Sequence, residues 1–344
     1  MKTRERVAWL APVVAQFPEM GTFGDESALL ELIRLELGSE TALDESAVLA
    51  PRHLLHIVSG NTAMAGMQSL VRGLILGSQN WCKIPSAGLL VFEEFVSRLP
   101  AQLRELVAVS SVLPTNWLED ADAVVVFGTD QTVETFRKLV RKDQIFVGYG
   151  NRWSGAVIFS DDDFSSVVPL VRDVALYNQM GCLSAQIIWL HESIDALAYG
   201  AKISSELDRY VRVNPTAKMS VEDRASVVRW RSKAEWEALT GGRIWLSADE
   251  PVWGVVFNIG EPGLSCLHRH VTLARFSDQP KLGDLADSVS TLGLSPDTQE
   301  NRLQLASSGA SRFCEIGAMQ FPPPTWQQDG APALGRLVRN PGSA

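Results

Sequence analysis

Short apolar runs separated by amphipathic stretches recur through the first half of the chain, at residues 54–59, 107–112, 123–127 and 145–147. Strands alternating with helices in this order predict a parallel sheet covered by helices on both faces. The run Ala-Val-Val-Val-Phe at 123–127 is apolar at every position, as a strand buried on both faces requires, and it opens into the turn Gly128-Thr129-Asp130. Residues 89–92 read as the start of a helix, and 132–142 as the helix that follows the turn. Further on, Asp161, Asp162 and Asp163 offer a negatively charged N-cap, after which Phe164, Val167, Val168, Val171, Val174 and Ala175 share one helical face. Gly181 is expected to end that helix immediately before Cys182. Residues 187–190 then read as a strand, 193–212 as a helix, and 243–247 and 252–258 as strands of a second α/β unit.

A length of 344 residues with 46% hydrophobic composition fits about two domains. The expected division is 1–174, 175–320 and a Pro- and Gly-rich tail at 321–344 running extended over the surface to a frayed end. With 31 Lys and Arg against 40 Asp and Glu, the net charge of -9 provides no general attraction to nucleic acid or anionic membrane. The longest apolar stretch, residues 63–76, carries Gln68, Ser69 and Arg72 and falls short of the roughly 18 residues a membrane span needs. Lys2, Arg4 and Arg6 ahead of an apolar run mimic a secretory leader, but Glu5 and Pro12 interrupt the pattern. The cysteines at 82, 182, 266 and 314 lack the close pairing of a zinc site or disulfide framework, so a reducing, cytoplasmic setting is expected.

Ligands of open α/β sheets lie beyond the carboxyl ends of the strands, where Gly60-Asn61 and Gly128-Thr129 both fall. No Gly-x-Gly-x-x-Gly follows any strand, which disfavours a standard Rossmann dehydrogenase. Cys182, between Gly181 and Leu183-Ser184, has two readings from position alone: a small buried hydrophobe, or a nucleophile at a helix-to-strand junction. Five histidines raise the question of a metal, and the closest pair, His268-x-His270, would share one strand face. No acidic ligand accompanies them, and no metal is expected.

The string Tyr177-Asn-Gln-Met-Gly-Cys-Leu-Ser-Ala-Gln186 resembles the nucleophile motif of the LuxC-type acyl-CoA reductases, within the aldehyde dehydrogenase superfamily, in which Gln-x-Gly-Cys-Leu-Ser frames the catalytic cysteine. Segments at 56–61, 77–83, 127–130, 148–154, 317–320 and 326–330 resemble the same family and keep its order. The resemblance implies an aldehyde dehydrogenase-like fold of two Rossmann-like α/β domains with the active site in the cleft between them. It implies Cys182 as nucleophile and Asn61 as a side-chain amide donor to the oxyanion. It also implies that Lys83, Ser86, Gly128 and Thr129, with the backbone at Gly148 and Gly150, hold NADPH, with NADH as the alternative.

Hydrolytic aldehyde dehydrogenases carry a glutamate in the place of 148–154, where it activates water against the thioester. Here no acid occurs between Asp143 and Asp161. An acyl group on Cys182 would therefore persist until a thiol or hydride attacks. The implied reaction is reduction of a long-chain fatty acyl-CoA, or an acyl-protein thioester, to the aldehyde. Two departures stand out: Thr62-Ala63-Met64 replaces the family's usual Val-Pro step after the asparagine, and the chain is shorter than many relatives. The alternatives are a CoA-acylating aldehyde dehydrogenase for short aldehydes, a cofactor-independent cysteine acyltransferase or thioesterase, and a non-catalytic scaffold. The oligomeric state, a homo-oligomer included, is left open.

Overall fold

The computed structural model describes every residue except 61, 62, 217, 218, 249, 251, 259, 343 and 344. The chain forms two compact units, one of residues 1–151 with 321–344, the other of 152–320.

The first unit contains α1 (Thr3–Val14), α2 (Glu26–Leu37), β1 (His53–Ile57), α3 (Ala63–Leu76), β2 (Gln79–Lys83), α4 (Leu90–Arg98), α5 (Ala101–Arg104), β3 (Val107–Ser110), α6 (Thr115–Asp120), β4 (Ala123–Phe127), α7 (Asp130–Leu139) and β5 (Ile145–Tyr149). Its sheet is parallel throughout, in the order β3-β2-β1-β4-β5. The apolar run of β4 is explained by its alternation: Ala123, Val125 and Phe127 enter the core with α1–α4, while Val124 and Val126 enter the opposite core with Val133, Trp117 and Phe136. The strand order reverses direction between β1 and β4, so the carboxyl ends that Gly60 and Gly128-Thr129 follow lie at a topological switch point, which the sequence did not reveal.

α3 is buried along residues 66–76 as an interior helix, with the guanidinium of Arg72 5.2 Å from the Phe23 ring centroid. His56 is likewise a core residue. Its ring nitrogens lie 2.8 Å from Ser69 Oγ and 3.0 Å from Asn80 Oδ1, and burial holds its pKa down to about 4. Among the described residues no helix is long and apolar enough to cross a membrane.

The second unit contains β6 (Trp153–Ile158), α8 (Val167–Ala175), β7 (Ala185–His191), α9 (Ala196–Val213), α10 (Val221–Ala238), β8 (Arg243–Leu246), β9 (Gly254–Phe257), β10 (His270–Phe276), β11 (Val289–Ser295), α11 (Gln299–Gln304) and β12 (Arg312–Glu315). Its sheet runs β12-β11-β6-β7-β10-β9-β8, parallel except for the antiparallel edge strand β8. One face packs under α8 and α9 through Ile188, Leu190, Val271 and Leu273; the other is built around Trp153, Trp189 and Leu292.

The structure corrects three expectations. The units divide at 151/152 rather than at 174/175, because residues 153–158 form a strand between β7 and β11 and α8 packs on the same sheet. α8 ends at Ala175, six residues before Gly181, because Tyr177, Asn178 and Gln179 turn left-handed (φ 54°, 55° and 63°); Val168 faces solvent rather than the core. The described part of the C-terminal segment, residues 321–342, is no surface tail. Leu334 and Leu337 are buried in the first core, and Leu49 and Arg339 exchange backbone hydrogen bonds of 2.8 and 2.9 Å.

A single carboxylate anchors that segment: Glu36 accepts from the backbone amides of Ala333, Leu334 and Gly335 at 3.1, 2.5 and 2.9 Å. Removing it strands three partly buried donors, so Glu36→Ala is expected to cost about 2–3 kcal/mol. Thermal unfolding and proteolytic nicking after residue 320 read this out. An unchanged melting temperature with no new cleavage would refute the anchor.

Candidate functional site

Cys182 sits in the loop between α8 and β7, and it is the exposed member of the four cysteines. The other three are disfavoured as thiolates: burial pushes Cys266 and Cys314 up to about 12, and drives Cys82 upward as well.

The loop is fixed from three sides by buried polar groups. Ser154 on β6 donates its hydroxyl to the Cys182 carbonyl at 2.7 Å and accepts from the Thr291 amide at 3.2 Å. Gln179 donates to the Ala185 and His270 carbonyls at 2.8 and 2.9 Å and accepts from the His270 amide at 2.9 Å. Gln320 donates to Ser184 Oγ at 3.0 Å and to the Asp173 carbonyl at 2.7 Å. A turn from Ser184 N to Gly181 O (3.1 Å) closes around Cys182 itself. Each bond is buried or partly so, where an unsatisfied partner is costly, so together they hold the backbone on either side of the thiol. A thiol presented this way can attack a carbonyl without first ordering its own loop.

Ser154, Gln179, Ser184 and Gln320 were not among the residues the sequence singled out for chemistry. All four nevertheless lie in the segments that carried the family resemblance. Their contacts reach across as many as 147 positions and so left no local signal.

The first unit carries the remaining sequence candidates. Ser86 lines an open cavity of about 830 Å³ beyond the carboxyl ends of β2 and β3, together with Ile84, Gly88, Glu93, Ser97 and Ser110. Lys83 ends β2 half-buried and is not part of that lining; its carbonyl accepts from Val58 N at 2.9 Å. Thr129 caps α7 by accepting from Thr132 N at 3.2 Å. At three glycines an added side chain would crowd its neighbours: a Cβ at Gly128 would lie 2.9 Å from Thr132, at Gly148 2.4 Å from Val133, and at Gly150 2.1 Å from the Asp130 carboxylate. That carboxylate accepts from Asn151 N at 2.9 Å. Asn61 lies outside the described residues.

The histidine pair does not share a strand face. His268 occupies a left-handed turn before β10, and His270 begins the strand, its Nδ1 donating to the His268 carbonyl at 2.8 Å; burial holds its pKa down to about 4. Among the described residues no group of three His, Cys, Asp or Glu side chains is placed to hold a metal ion.

The acyl-CoA reductase (LuxC) family matches residues 6–340 of the chain. A long-chain acyl-protein thioester reductase of Aliivibrio fischeri is 22% identical over 319 residues, 85% of this chain and 65% of that protein. One from Photobacterium phosphoreum is 22% identical over 91% of this chain and 69% of its own length, so the chain spans about two thirds of these relatives. Among solved structures, a succinic semialdehyde dehydrogenase from Streptococcus pyogenes in complex with NADP+ superposes with a TM-score of 0.67 at 12% identity, covering 98% of this chain and 89% of that one. The shared feature at that identity is the aldehyde dehydrogenase fold.

Proposed function

Because this chain belongs to the LuxC acyl-CoA reductase family, we propose that it reduces a fatty acyl thioester to the aldehyde through an acyl group carried on Cys182. The observation that carries this reading is the presentation of one exposed thiol on a loop clamped by Ser154, Gln179 and Gln320, while Cys82 and Cys314 are buried and Cys266 is half-buried.

The Cys182 thiolate attacks the thioester carbonyl, and the tetrahedral intermediate expels the CoA or carrier thiolate, leaving an acyl group on Sγ. Asn61 is the proposed side-chain donor to the oxyanion, with a backbone amide near Cys182. No acid stands between Asp143 and Asp161 to activate water, so the acyl-enzyme outlives hydrolysis and waits for reduction. When bound, a nicotinamide cofactor supplies the hydride that makes the aldehyde.

The first unit fits such a cofactor, with an open cavity at the carboxyl ends of a parallel sheet in a dinucleotide-binding order. Ser86 and Lys83 are the proposed holders of the adenosine end. Gly128 and Thr129, at the α7 N-terminus, would hold the pyrophosphate, with Gly148 and Gly150 shaping the neighbouring backbone. The preference for NADPH over NADH rests on the family resemblance alone, in which the position of Lys83 reaches the adenosine ribose or a 2′-phosphate. Acyl-protein donors are supported by the names of the bacterial relatives.

The test is to follow NADPH absorbance and trapped aldehyde with acyl-CoA esters from butanoyl to hexadecanoyl. Aldehyde formed with stoichiometric NADPH loss is the expected result. Acyl release without cofactor consumption would replace this reading with a cysteine acyltransferase or thioesterase.

A further inference from the structure

Two left-handed turns are joined by a side-chain hydrogen bond, one of them ending three residues before the proposed nucleophile. Tyr177, Asn178 and Gln179 have φ of 54°, 55° and 63°; Leu267, His268 and Arg269 have φ of 66°, 53° and 64°. None of the six is glycine, and L side chains seldom adopt the left-handed region. Backbone of this kind persists only where its surroundings over-determine it, and it concentrates at functional sites.

The middle residues of the two turns are hydrogen-bonded to each other: Asn178 Nδ2 lies 2.9 Å from His268 Nδ1. An amide NH2 donates, so Nδ1 accepts and the ring proton sits on Nε2, which points to Asp223 Oδ1 on α10 at 3.4 Å. Asp223 is favoured as a carboxylate, first by its hydrogen bonding to Ser220 and then by His268. The imidazole is buried, and its orientation is set at one end by Asp223 and spent at the other on Asn178. Asn178 is four residues before Cys182, and among the described residues its buried Oδ1 has no hydrogen-bond partner. Among the described residues the bond to His268 is therefore the one polar contact that holds this side chain.

We infer that His268 is a positioning residue for Cys182, with the Asp223-His268-Asn178 chain pinning the left-handed turn that sets where the thiol meets an acyl carbonyl. The inference rests on Cys182 being the acyl-accepting thiol. A polar relay of this kind fixes the angle of attack and leaves the exposure of the sulfur unchanged. Its loss should slow acyl transfer, which needs the thiol placed against a carbonyl, much more than alkylation, which needs only an accessible thiolate.

The experiment compares wild type with His268→Leu, His268→Asn and Asn178→Gly. Acylation of the Cys182 peptide is followed by mass, using whichever ester from butanoyl- to hexadecanoyl-CoA the wild type accepts fastest. Iodoacetamide labelling of the same peptide is measured at the same pH. His268→Leu and Asn178→Gly should slow acylation at least about tenfold while alkylation changes less than about threefold. His268→Asn, whose Oδ1 can accept where Nδ1 did, should recover most of the loss. Asn178→Gly keeps the left-handed backbone without strain, so the bond is removed without relying on a variant that must refold a buried ring. Wild-type rates of acylation in His268→Leu and Asn178→Gly would overturn the role of His268 alone, as would equal loss of acylation and alkylation. A wild type that takes no acyl group would overturn both this inference and the acyl-thiol reading.

Discussion

Cys182→Ala is expected to abolish NADPH-dependent aldehyde formation, lowering turnover by more than about three orders of magnitude while leaving the fold intact. The side chain is exposed, so its truncation opens no cavity in the core. The loop's fixed points are also untouched, since Ser154 bonds to the Cys182 carbonyl, and Gln179 and Gln320 bond elsewhere. A partial reaction sharpens the test. Wild-type protein given acyl-CoA without NADPH should gain one acyl mass on the peptide bearing Cys182 and keep it, because the 148–154 segment lacks the acid that would activate water. Adding NADPH should then discharge the acyl group as aldehyde. The alanine variant should show neither event. Alkylating Cys82, Cys266 or Cys314 should require unfolding, since each is partly or wholly buried with its thiol held above the usual range. Turnover surviving in Cys182→Ala would move the chemistry to another group and undo the mechanism.

What could be read in the residues follows the range over which each signal acts. β4 was legible to the residue, because continuous apolarity over five positions is a local pattern and the glycine at 128 closes it. The position of Gly60 and Gly128-Thr129 past the carboxyl ends of strands was legible for the same reason, as both come soon after apolar runs, whereas the switch point needed the strand order. Cys182 stood out through a short motif. The course of the chain just before it did not, because apolar periodicity runs on through Val174 and Ala175 and nothing in Tyr-Asn-Gln announces a left-handed turn that tertiary bonds impose. The C-terminal segment was misread by composition: proline and glycine mark irregular backbone, and here that backbone is held by Glu36, almost 300 residues upstream. The clamp of Gln320 on Ser184 was invisible for the same cause, since a side chain spending its hydrogen bonds on a distant loop leaves no periodicity behind. The domain boundary shifted because residues 153–158 were not read as a strand at all, and their pairing with β7 and β11 assigns them to the second unit.

The second large effect concerns the stability of the 152–320 unit with pH, through Asp173 in α8. Its carboxyl is buried and takes the Gly317 amide on Oδ2 at 2.5 Å, while its carbonyl takes Gln320, which in turn holds Ser184 beside the nucleophile. Desolvation pushes its pKa up to about 7, with the amides of Gly317 and Met319 and the charge of Arg312 opposing the shift. The direction of the linkage follows from the raised value. Below about pH 4 folded and unfolded chains both carry the proton and the group is neutral in the balance. From about pH 4 to 7 the unfolded chain loses the proton while the folded one keeps it, so stability falls as pH rises, by up to 1.36 kcal/mol per unit and about 4 kcal/mol across the window. Above pH 7 the loss is complete and flat. Asp173→Asn keeps an acceptor for Gly317 and cannot ionise, so it should match wild type near pH 4 and exceed it by several kcal/mol at pH 8. Denaturant unfolding followed by the fluorescence of Trp153 and Trp189, both buried in this unit, reads the difference. Curves for the two proteins that stay parallel from pH 4 to 8 would show that Asp173 does not titrate in this window. If the curves diverge as expected, the ionised carboxyl should also loosen Gln320 and Ser184, and Cys182 acylation in the wild type should fall above pH 7 relative to Asp173→Asn.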